Sequence, residues 1–305
     1  MNEQAVTIDS KITILRKHIP AAMELLKECT VCPKNCRVDR TAGELGDCHM
    51  TDRLKISSYN LHFGEEPPIS GRRGSGTIFL SGCNLACVYC QNYPISQYCH
   101  GRFHSIAQVA GMMLSLQRRG AHNINLVTPT HFVPLLMQAL LEAFESGLAI
   151  PIVYNTSGYD SVKMLKLLGG VIDIYMPDMR YADPRLSRLY SAANGYPAIN
   201  RRAIKEMHRQ VGELHMVDGV ASRGLLLRHL VLPGGIAGSK AIFEFIAREV
   251  SPQTHVSVMS QYFPAFRADE YPELSRRLTG VEYRQALDAF ERAGLSNGYI
   301  QPYTG

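Results

Sequence analysis

The sequence contains SGCNLACVYCQN at residues 81–92, where three cysteines follow a predicted strand. Cys83, Cys87 and Cys90 are separated by gaps of three and two residues, and the next cysteine is Cys99. A structural zinc site normally has four protein ligands, and disulfides use cysteines in pairs. Three cysteines suit a 4Fe-4S cluster held at three irons, which leaves the fourth iron open to a substrate or cofactor. The alternative interpretation is a zinc knuckle that takes Cys99 as its fourth ligand.

From about residue 75 onward, short apolar runs alternate with segments of helical periodicity. The runs that predict buried strands are 77–81, 124–128, 150–155, 171–176, 225–232 and 255–260. Several of the helical segments between them end at glycine. This alternation predicts an α/β fold built from parallel βαβ units, namely a partial (βα)6 TIM-like barrel over residues 75–305. Residues 1–74 are predicted to form a separate unit, an N-terminal helix plus a cysteine-rich metal-binding module.

The loops after the predicted strands are the expected location of the chemistry, because the carboxyl ends of parallel strands meet at one face. The cysteine loop follows the first strand. The loops after the next five contain TPTH, NTSGYD, PDMRY, PGG and QYFPAF. All six loops are predicted to converge on the face where the carboxyl ends of the strands lie.

A second group of cysteines precedes the predicted barrel. Four cysteines lie in the loop-rich segment 29–48, which has proline and glycine at turn positions. This spacing favours a closed four-cysteine metal site, with either zinc or a second iron–sulfur cluster as the metal. The alternative is a set of unligated thiols. The residues are Cys29, Cys32, Cys36 and Cys48.

Composition and charge exclude several classes of protein. The chain has 305 residues with 32 basic and 27 acidic side chains, a net charge of +5 without a dense basic run, so nucleic-acid binding is not indicated. Because no apolar run reaches about 18 residues and the N-terminus lacks a signal-peptide core, we expect a cytoplasmic protein that does not enter a membrane. In that compartment cysteines serve metals or catalysis rather than disulfides.

The motifs together resemble the radical S-adenosylmethionine (SAM) superfamily. GSGTIFLSGCNLACVYCQN is most similar to the activating enzymes of pyruvate formate-lyase and to an uncharacterised subgroup like them. The subgroup resemblance rests on GEEPPISG (64–71), VTPTH, YNTSGY, DIYMPDMRY, LRHLVLPGG and an N-terminal CxxCPxxC. It extends over most of the chain, in order.

The resemblance implies an enzyme that cleaves SAM reductively at a 4Fe-4S cluster. Cys83, Cys87 and Cys90 would hold the cluster, and the resulting 5′-deoxyadenosyl radical would abstract hydrogen from a substrate. The activating enzymes have a Gly-Gly-Glu motif where this chain has VTPTH, so the acidic partner of the methionyl group is replaced. The residues predicted to bind the cofactor are Tyr89, Asn92, Thr128, Thr130, His131, Asn155, Thr156, Ser157, Asp178 and Arg228.

Three residues are predicted to act on the substrate: Asp178, Arg180 and Glu66. Arg180 stands where the activating enzymes have a lysine, and arginine binds carboxylates or phosphates in a bidentate manner. Glu66 lies in GEEPPISG, which is either a solvated turn or a stiff functional loop. The substrate is therefore predicted to be a glycyl-radical partner protein or a small anionic metabolite. The electron donor would be flavodoxin or ferredoxin, and the rival interpretation is a non-catalytic electron-transfer or zinc-binding scaffold.

Overall fold

The computed structural model describes residues 6–303, so the outermost residues of both predicted units, 1–5 and 304–305, lie outside the described part. Its centre is a sheet of ten strands, most of them parallel. The strands are β1 (Leu54–His62), β2 (Ser75–Leu80), β3 (Arg102–His104), β4 (Ile124–Val127), β5 (Ile152–Thr156), β6 (Ile174–Pro177), β7 (His215–Val217), β8 (Val220–Leu230), β9 (His255–Met259) and β10 (Gly298–Ile300).

The strand order confirms the predicted α/β fold with a mostly parallel sheet. Along the sheet the order is β10-β9-β8-β6-β5-β4-β2-β1-β3, and β7 forms a hairpin with β8. The six predicted strands are β2, β4, β5, β6, β8 and β9, which lie side by side and parallel. The sheet has two ends within residues 6–303, and this arrangement is consistent with a partial barrel.

Helices connect the parallel strands and cover the sheet. Two of them begin with a complete capping box, in which Ser105 and Gln108 at one start and Thr279 and Glu282 at the other satisfy each other's backbone amides. The helices are α1 (Ile8–Glu24), α2 (Pro67–Ser70), α3 (Tyr93–Ser96), α4 (Ile106–Arg118), α5 (Val133–Glu145), α6 (Val162–Leu167), α7 (Pro184–Ser191), α8 (Tyr196–Val211), α9 (Ser239–Phe245), which continues as a π-helix (Ile246–Val250), and α10 (Gly280–Arg292).

The strands at the sheet edges are additions that the apolar pattern did not predict. β3 and β10 have three residues each and are largely exposed. β1 is antiparallel to both β2 and β3, and its register shifts between Ile56 and Ser58. Short edge strands such as β3 and β10, and a bulged antiparallel strand such as β1, lack the continuous apolar run of a central parallel strand.

The N-terminal segment packs against the barrel and shares its core. Lys11 of α1 forms an ion pair with Asp173 at an Nζ–Oδ2 distance of 2.5 Å. Leu15, Leu26 and Cys29 belong to the same buried apolar cluster as the barrel residues. The predicted boundary between residues 74 and 75 lies directly before β2, yet β1 on its N-terminal side pairs with β2. The division into two units stays a prediction.

Within the described range, no helix is long and apolar enough to cross a membrane.

Candidate functional site

A cavity of about 320 Å³ opens at the carboxyl ends of the parallel strands. It is lined by the cysteine loop after β2 and by the ends of β4, β5, β6 and β8. Eleven of the predicted site residues line this cavity, and these are Cys83, Cys87, Cys90, Asn92, Thr128, Asn155, Thr156, Ser157, Asp178, Arg180 and Arg228. Tyr89, Thr130, His131 and Glu66 are not among its lining residues.

Each of the three cysteine sulfurs in the cavity wall has one polar neighbour. The backbone N–H of Leu85 donates to Cys83 Sγ at 3.3 Å, and the Ser191 hydroxyl donates to Cys87 Sγ at 3.0 Å. Cys90 Sγ and the Ser96 hydroxyl lie 3.1 Å apart. Hydrogen-bond donors stabilise thiolates, which are the form that binds metals. Each of the three sulfurs therefore has a polar neighbour that can stabilise its thiolate form.

Burial raises the pKa of two of these thiols, and the nearest charges act differently on each. Burial raises the pKa of Cys87, while the nearby Arg180 guanidinium lowers it. Burial also raises the pKa of Cys83, and the neighbouring Cys87 adds to that shift. Deprotonating Cys83 and Cys87 together is therefore unfavourable unless a cation takes the place of the protons.

A buried network of charged side chains lies in the cavity wall, with Arg228 at its centre. Arg228 Nε donates to Asp178 Oδ1 at 2.9 Å, and Nη2 donates to Asn155 Oδ1 at 2.7 Å. Its Nη1 is 3.4 Å from Glu65 Oε2. Arg180 donates to the other oxygen of Asp178. Both guanidinium groups are therefore already paired with protein carboxylates.

Glu66 lies beside this network and borders a second cavity. Glu65 and Arg228 line both this second cavity and the first. Glu66 Oε2 is 3.9 Å from Arg228 Nη1, has no hydrogen-bond partner among residues 6–303, and is inaccessible to solvent. Burial raises the pKa of Glu66, against the attraction of Arg228. The position excludes a solvated turn, and the catalytic role of Glu66 stays a prediction.

Thr130 does not line the cavity; its hydroxyl group donates a hydrogen bond to Asp160. Asp160 accepts hydrogen bonds from Thr130 Oγ1 at 2.8 Å, Tyr154 OH at 2.9 Å and Thr156 Oγ1 at 2.7 Å. Asp160 is 2% exposed, and burial raises the pKa of its carboxyl group. These bonds fix the Thr156 side chain, which is itself part of the cavity lining.

His131 is also buried behind the cavity. Its Nε2 lies 2.9 Å from the carbonyl oxygen of Ser81, and its Nδ1 has no hydrogen-bond partner in the described part of the chain. Since a carbonyl only accepts, Nε2 carries the proton. Burial lowers the pKa of His131 to about 3, so the ring is neutral. His131 thus supports the cysteine loop from behind, through Ser81.

Tyr89 belongs to the cysteine loop, but its buried side chain does not line the cavity. Its hydroxyl is 2.6 Å from the hydroxyl of Tyr181, which in turn is 2.7 Å from Ser191 Oγ. Ser191 is also the donor to Cys87. A chain of hydroxyl groups therefore connects Tyr89 with a cysteine sulfur.

The four N-terminal cysteines are close to one another. Burial raises the pKa of Cys32 to about 12, and the charges of Cys48, Cys29 and Cys36 contribute to the rise. Arg40 is completely buried beside them, with Nη1 4.0 Å from Cys29 Sγ and 2.6 Å from the carbonyl oxygen of His131.

The N-terminal cysteine segment also contacts the cluster loop. A Cβ atom on Gly82 would lie 2.6 Å from the carbonyl oxygen of Cys48, so the two segments are in direct contact. Across residues 6–303, no three histidine, cysteine, aspartate or glutamate side chains surround a single ion position.

One residue of the site, Asp160, was not predicted from the sequence. Asp160 stands four positions after Thr156 in the quoted loop NTSGYD, and an aspartate this close to a strand end is a signal that could have identified it. Of the two glutamates in GEEPPISG, it is Glu65 that lines the main cavity and accepts a hydrogen bond from Asn125.

Comparison with known proteins gives one family match and one close relative. The family described as the Radical SAM superfamily matches residues 77–230. An uncharacterised protein of Methanocaldococcus jannaschii is 32% identical over 297 residues, which cover 93% of this chain and 80% of that protein.

Solved structures resemble the chain at low identity. SuiB of Streptococcus suis, crystallised bound to S-adenosylmethionine, is 8% identical with a TM-score of 0.48, over 73% of this chain and 48% of SuiB. HydG, a maturase of the FeFe-hydrogenase, is 12% identical with a TM-score of 0.47, over 72% of this chain and 49% of HydG. The chain spans about half the length of these two proteins. Methylornithine synthase is 12% identical with a TM-score of 0.43, over 100% of this chain and 86% of that protein.

Proposed function

Since the chain belongs to the radical SAM superfamily, we propose that it is an enzyme whose 4Fe-4S cluster is held by Cys83, Cys87 and Cys90. The observation that carries the proposal is that all three cysteines line one cavity at the carboxyl ends of the strands. Three protein ligands leave one iron of the cluster open to a further ligand.

The cavity offers unpartnered polar atoms as well as thiols. Ser157 Oγ and Arg180 Nε are buried in its lining and have no hydrogen-bond partner among the described residues. Buried donors of this kind cost free energy unless a ligand satisfies them. Both can donate to a carboxylate, so we assign them to the methionyl carboxylate of SAM, beside Asn155 and Thr156.

When bound, the cluster and SAM supply the electron transfer and carbon–sulfur cleavage that generate a 5′-deoxyadenosyl radical for hydrogen abstraction. The residues of the chain bind, orient and shield. Arg180 places positive charge beside Cys87, and Asp178 and Arg228 hold each other rigid in the cavity wall. Asp160 directs the Thr156 hydroxyl.

Two classes of substrate are candidates for this enzyme. Resemblance to the activating enzymes supports a glycyl-radical partner protein. A small anionic metabolite is the second candidate, for which Arg180 was the predicted anchor. Because Arg180 is already paired with Asp178, such a metabolite would compete with a protein carboxylate for that guanidinium.

We extend the proposal to the N-terminal cysteines, where Cys29, Cys32, Cys36 and Cys48 would bind zinc or a second iron–sulfur cluster. Their closeness and the buried Arg40 support it, because a cation beside several thiolates offsets part of their charge. About four irons plus one zinc per chain would identify zinc, and about eight irons a second cluster. Two zincs without iron would instead support the non-catalytic scaffold.

The decisive experiment uses anaerobically reconstituted protein with SAM and dithionite. We expect 5′-deoxyadenosine and methionine to form, and Cys87→Ala to lose both these products and the iron of the cluster. Cys99→Ala is the matched control and should retain both, since Cys99 does not line the cavity and its thiol donates to the Gln97 carbonyl oxygen at 3.7 Å. Product formation by Cys87→Ala with full iron content would contradict the proposal.

A further inference from the structure

The edge of the sheet beside the cluster loop carries an exposed aromatic ring between two cations. Phe103 in β3 is 46% exposed. The Arg53 guanidinium carbon lies 4.4 Å from the ring centroid, and Lys55 Nζ lies 5.2 Å from it. Lys55 is directly opposite Phe103 in the β1–β3 ladder. We call Arg53, Lys55 and Phe103 the edge patch.

The edge patch is rich in positive charge and its own segments are poor in carboxylates. Within residues 6–303, neither Arg53 nor Lys55 forms an ion pair, and the same is true of exposed Arg102 beside Phe103. In segments 51–62 and 98–104 the single carboxylate is that of Asp52. Cation–π contacts at exposed sites leave most of the charge available to a partner. The patch is therefore complementary to an acidic surface.

The edge patch is directly connected to the cluster loop. The backbone N–H of Ser81 donates to the carbonyl oxygen of Lys55 at 2.9 Å, and Ser81 Oγ donates to the carbonyl oxygen of His100 at 2.7 Å. Ser81 is two residues before Cys83. The patch is thus linked to Cys83, the first predicted cluster ligand, through the Ser81–Lys55 hydrogen bond and two residues of backbone. A protein that delivers electrons must dock near the cluster, because electron transfer slows steeply with distance.

We propose that the edge patch docks an acidic protein that carries single electrons to the cluster. The reduced carrier loses one electron and the oxidised cluster gains it, so the transfer balances without another reactant. This inference rests on the proposed function, since it requires a cluster in the loop. It assigns a place on the molecule to the electron donor.

Flavodoxin is the probe, and its binding to the full chain is the first measurement. We expect Arg53→Glu/Lys55→Glu to weaken the calorimetric Kd by about tenfold or more at low salt, and the wild-type Kd to rise with salt. Arg72→Glu/Arg73→Glu is the matched control. It changes the net charge equally, but at the amino end of β2, and should bind like the wild type.

The rate of cluster reduction is the second measurement. The edge-patch variant should accept electrons about tenfold more slowly from reduced flavodoxin at subsaturating concentration, and at the wild-type rate from dithionite, which needs no docking surface. Circular dichroism should show both double variants folded.

Three results would overturn the inference. The first is wild-type flavodoxin affinity in the edge-patch variant, or an equal loss in the control. The second is the absence of wild-type binding both to flavodoxin and to a ferredoxin. The third is a variant that binds flavodoxin normally but loses activity on a protein substrate under dithionite, which would make the patch a substrate surface. Failure of the wild type to cleave SAM with dithionite would instead contradict the proposed function.

Discussion

Arg228 and Asp178 are joined twice, once through their backbones and once through their side chains. The two residues form a parallel bridge between the ends of β8 and β6, and Arg228 Nε lies 2.9 Å from Asp178 Oδ1. Strand register therefore places the ion pair, and the ion pair in turn secures the rim of the cavity. Glu65 and Arg180 extend it into a network that alternates in sign.

Removal of Arg228 should destabilise the protein severely. Arg228→Met leaves the carboxylates of Glu65 and Asp178 buried with fewer counterions, and breaking a buried pair costs about 3–5 kcal/mol. Urea unfolding of the metal-free protein measures the loss. Arg16→Met removes the partner of Glu145 at an exposed site and should leave the unfolding midpoint almost unchanged. Equal midpoints for the two variants would show that the network does not stabilise the fold.

The Asp160 carboxylate should be required for stability, because it accepts hydrogen bonds from three buried hydroxyl groups. Asp160→Ala leaves Thr130, Tyr154 and Thr156 with buried hydroxyls that need new partners, at a cost of about 2–4 kcal/mol. Asp160→Asn retains acceptor capacity and should lose less. The affinity of the reconstituted enzyme for SAM should fall in both variants, because Thr156, which lines the cavity, loses the partner that holds its side chain. Unchanged affinity in a folded Asp160→Asn variant would separate Asp160 from the site.

The central sheet and the cysteine loop were predictable because both are encoded locally. Six apolar runs identify the parallel strands, and the spacing of Cys83, Cys87 and Cys90 identifies the loop. Strand ends in a parallel sheet share one face, so most residues chosen there line one cavity. Asn155 and Asp178 are examples.

The remaining features depend on contacts between distant segments, which no local pattern encodes. Glu65 lies more than a hundred residues from Arg228 in the sequence, so its place in the network depends on the fold that brings the two side chains together. Thr130 and His131 follow the same strand as Thr128, but the chain turns there at a positive φ of 60° on Thr128. That turn leaves Thr128 in the cavity lining and directs the next two polar side chains behind it.

Acid should destabilise the protein partly through His229. This ring is fully buried, with Nδ1 2.8 Å from the Met179 carbonyl oxygen and Nε2 2.9 Å from Ser239 Oγ, and burial lowers its pKa to about 4. The unfolded chain has the ordinary value of about 6.5, so it binds the proton first as the pH falls. The stability contributed by the neutral ring is complete above pH 6.5 and is lost between about pH 6.5 and 4.

The size of this effect can be measured against a variant without the ring. At pH 5 the loss from His229 should be about 2 kcal/mol relative to pH 7. His229→Asn can still donate to Met179 but does not titrate, so its unfolding free energy should fall less over the same interval. The comparison is made by urea unfolding of the metal-free protein at both pH values. Parallel pH profiles for the wild type and the variant would refute the assignment.

A side chain at Gly82 should disturb both cysteine segments together. Gly82 has φ of +79°, and an added Cβ would lie 2.6 Å from the carbonyl oxygen of Cys48. Gly120 has φ of +87° with nothing within 4 Å, so Gly120→Ala measures the backbone strain alone, about 1–2 kcal/mol. Gly82→Ala should cost clearly more, because a backbone oxygen can move only with its loop. It should also lower the iron bound on reconstitution, whereas Gly120→Ala should bind iron like the wild type. If the two variants lose equal stability and bind equal iron, the contact between Cys48 and the cluster loop has no role in forming the site.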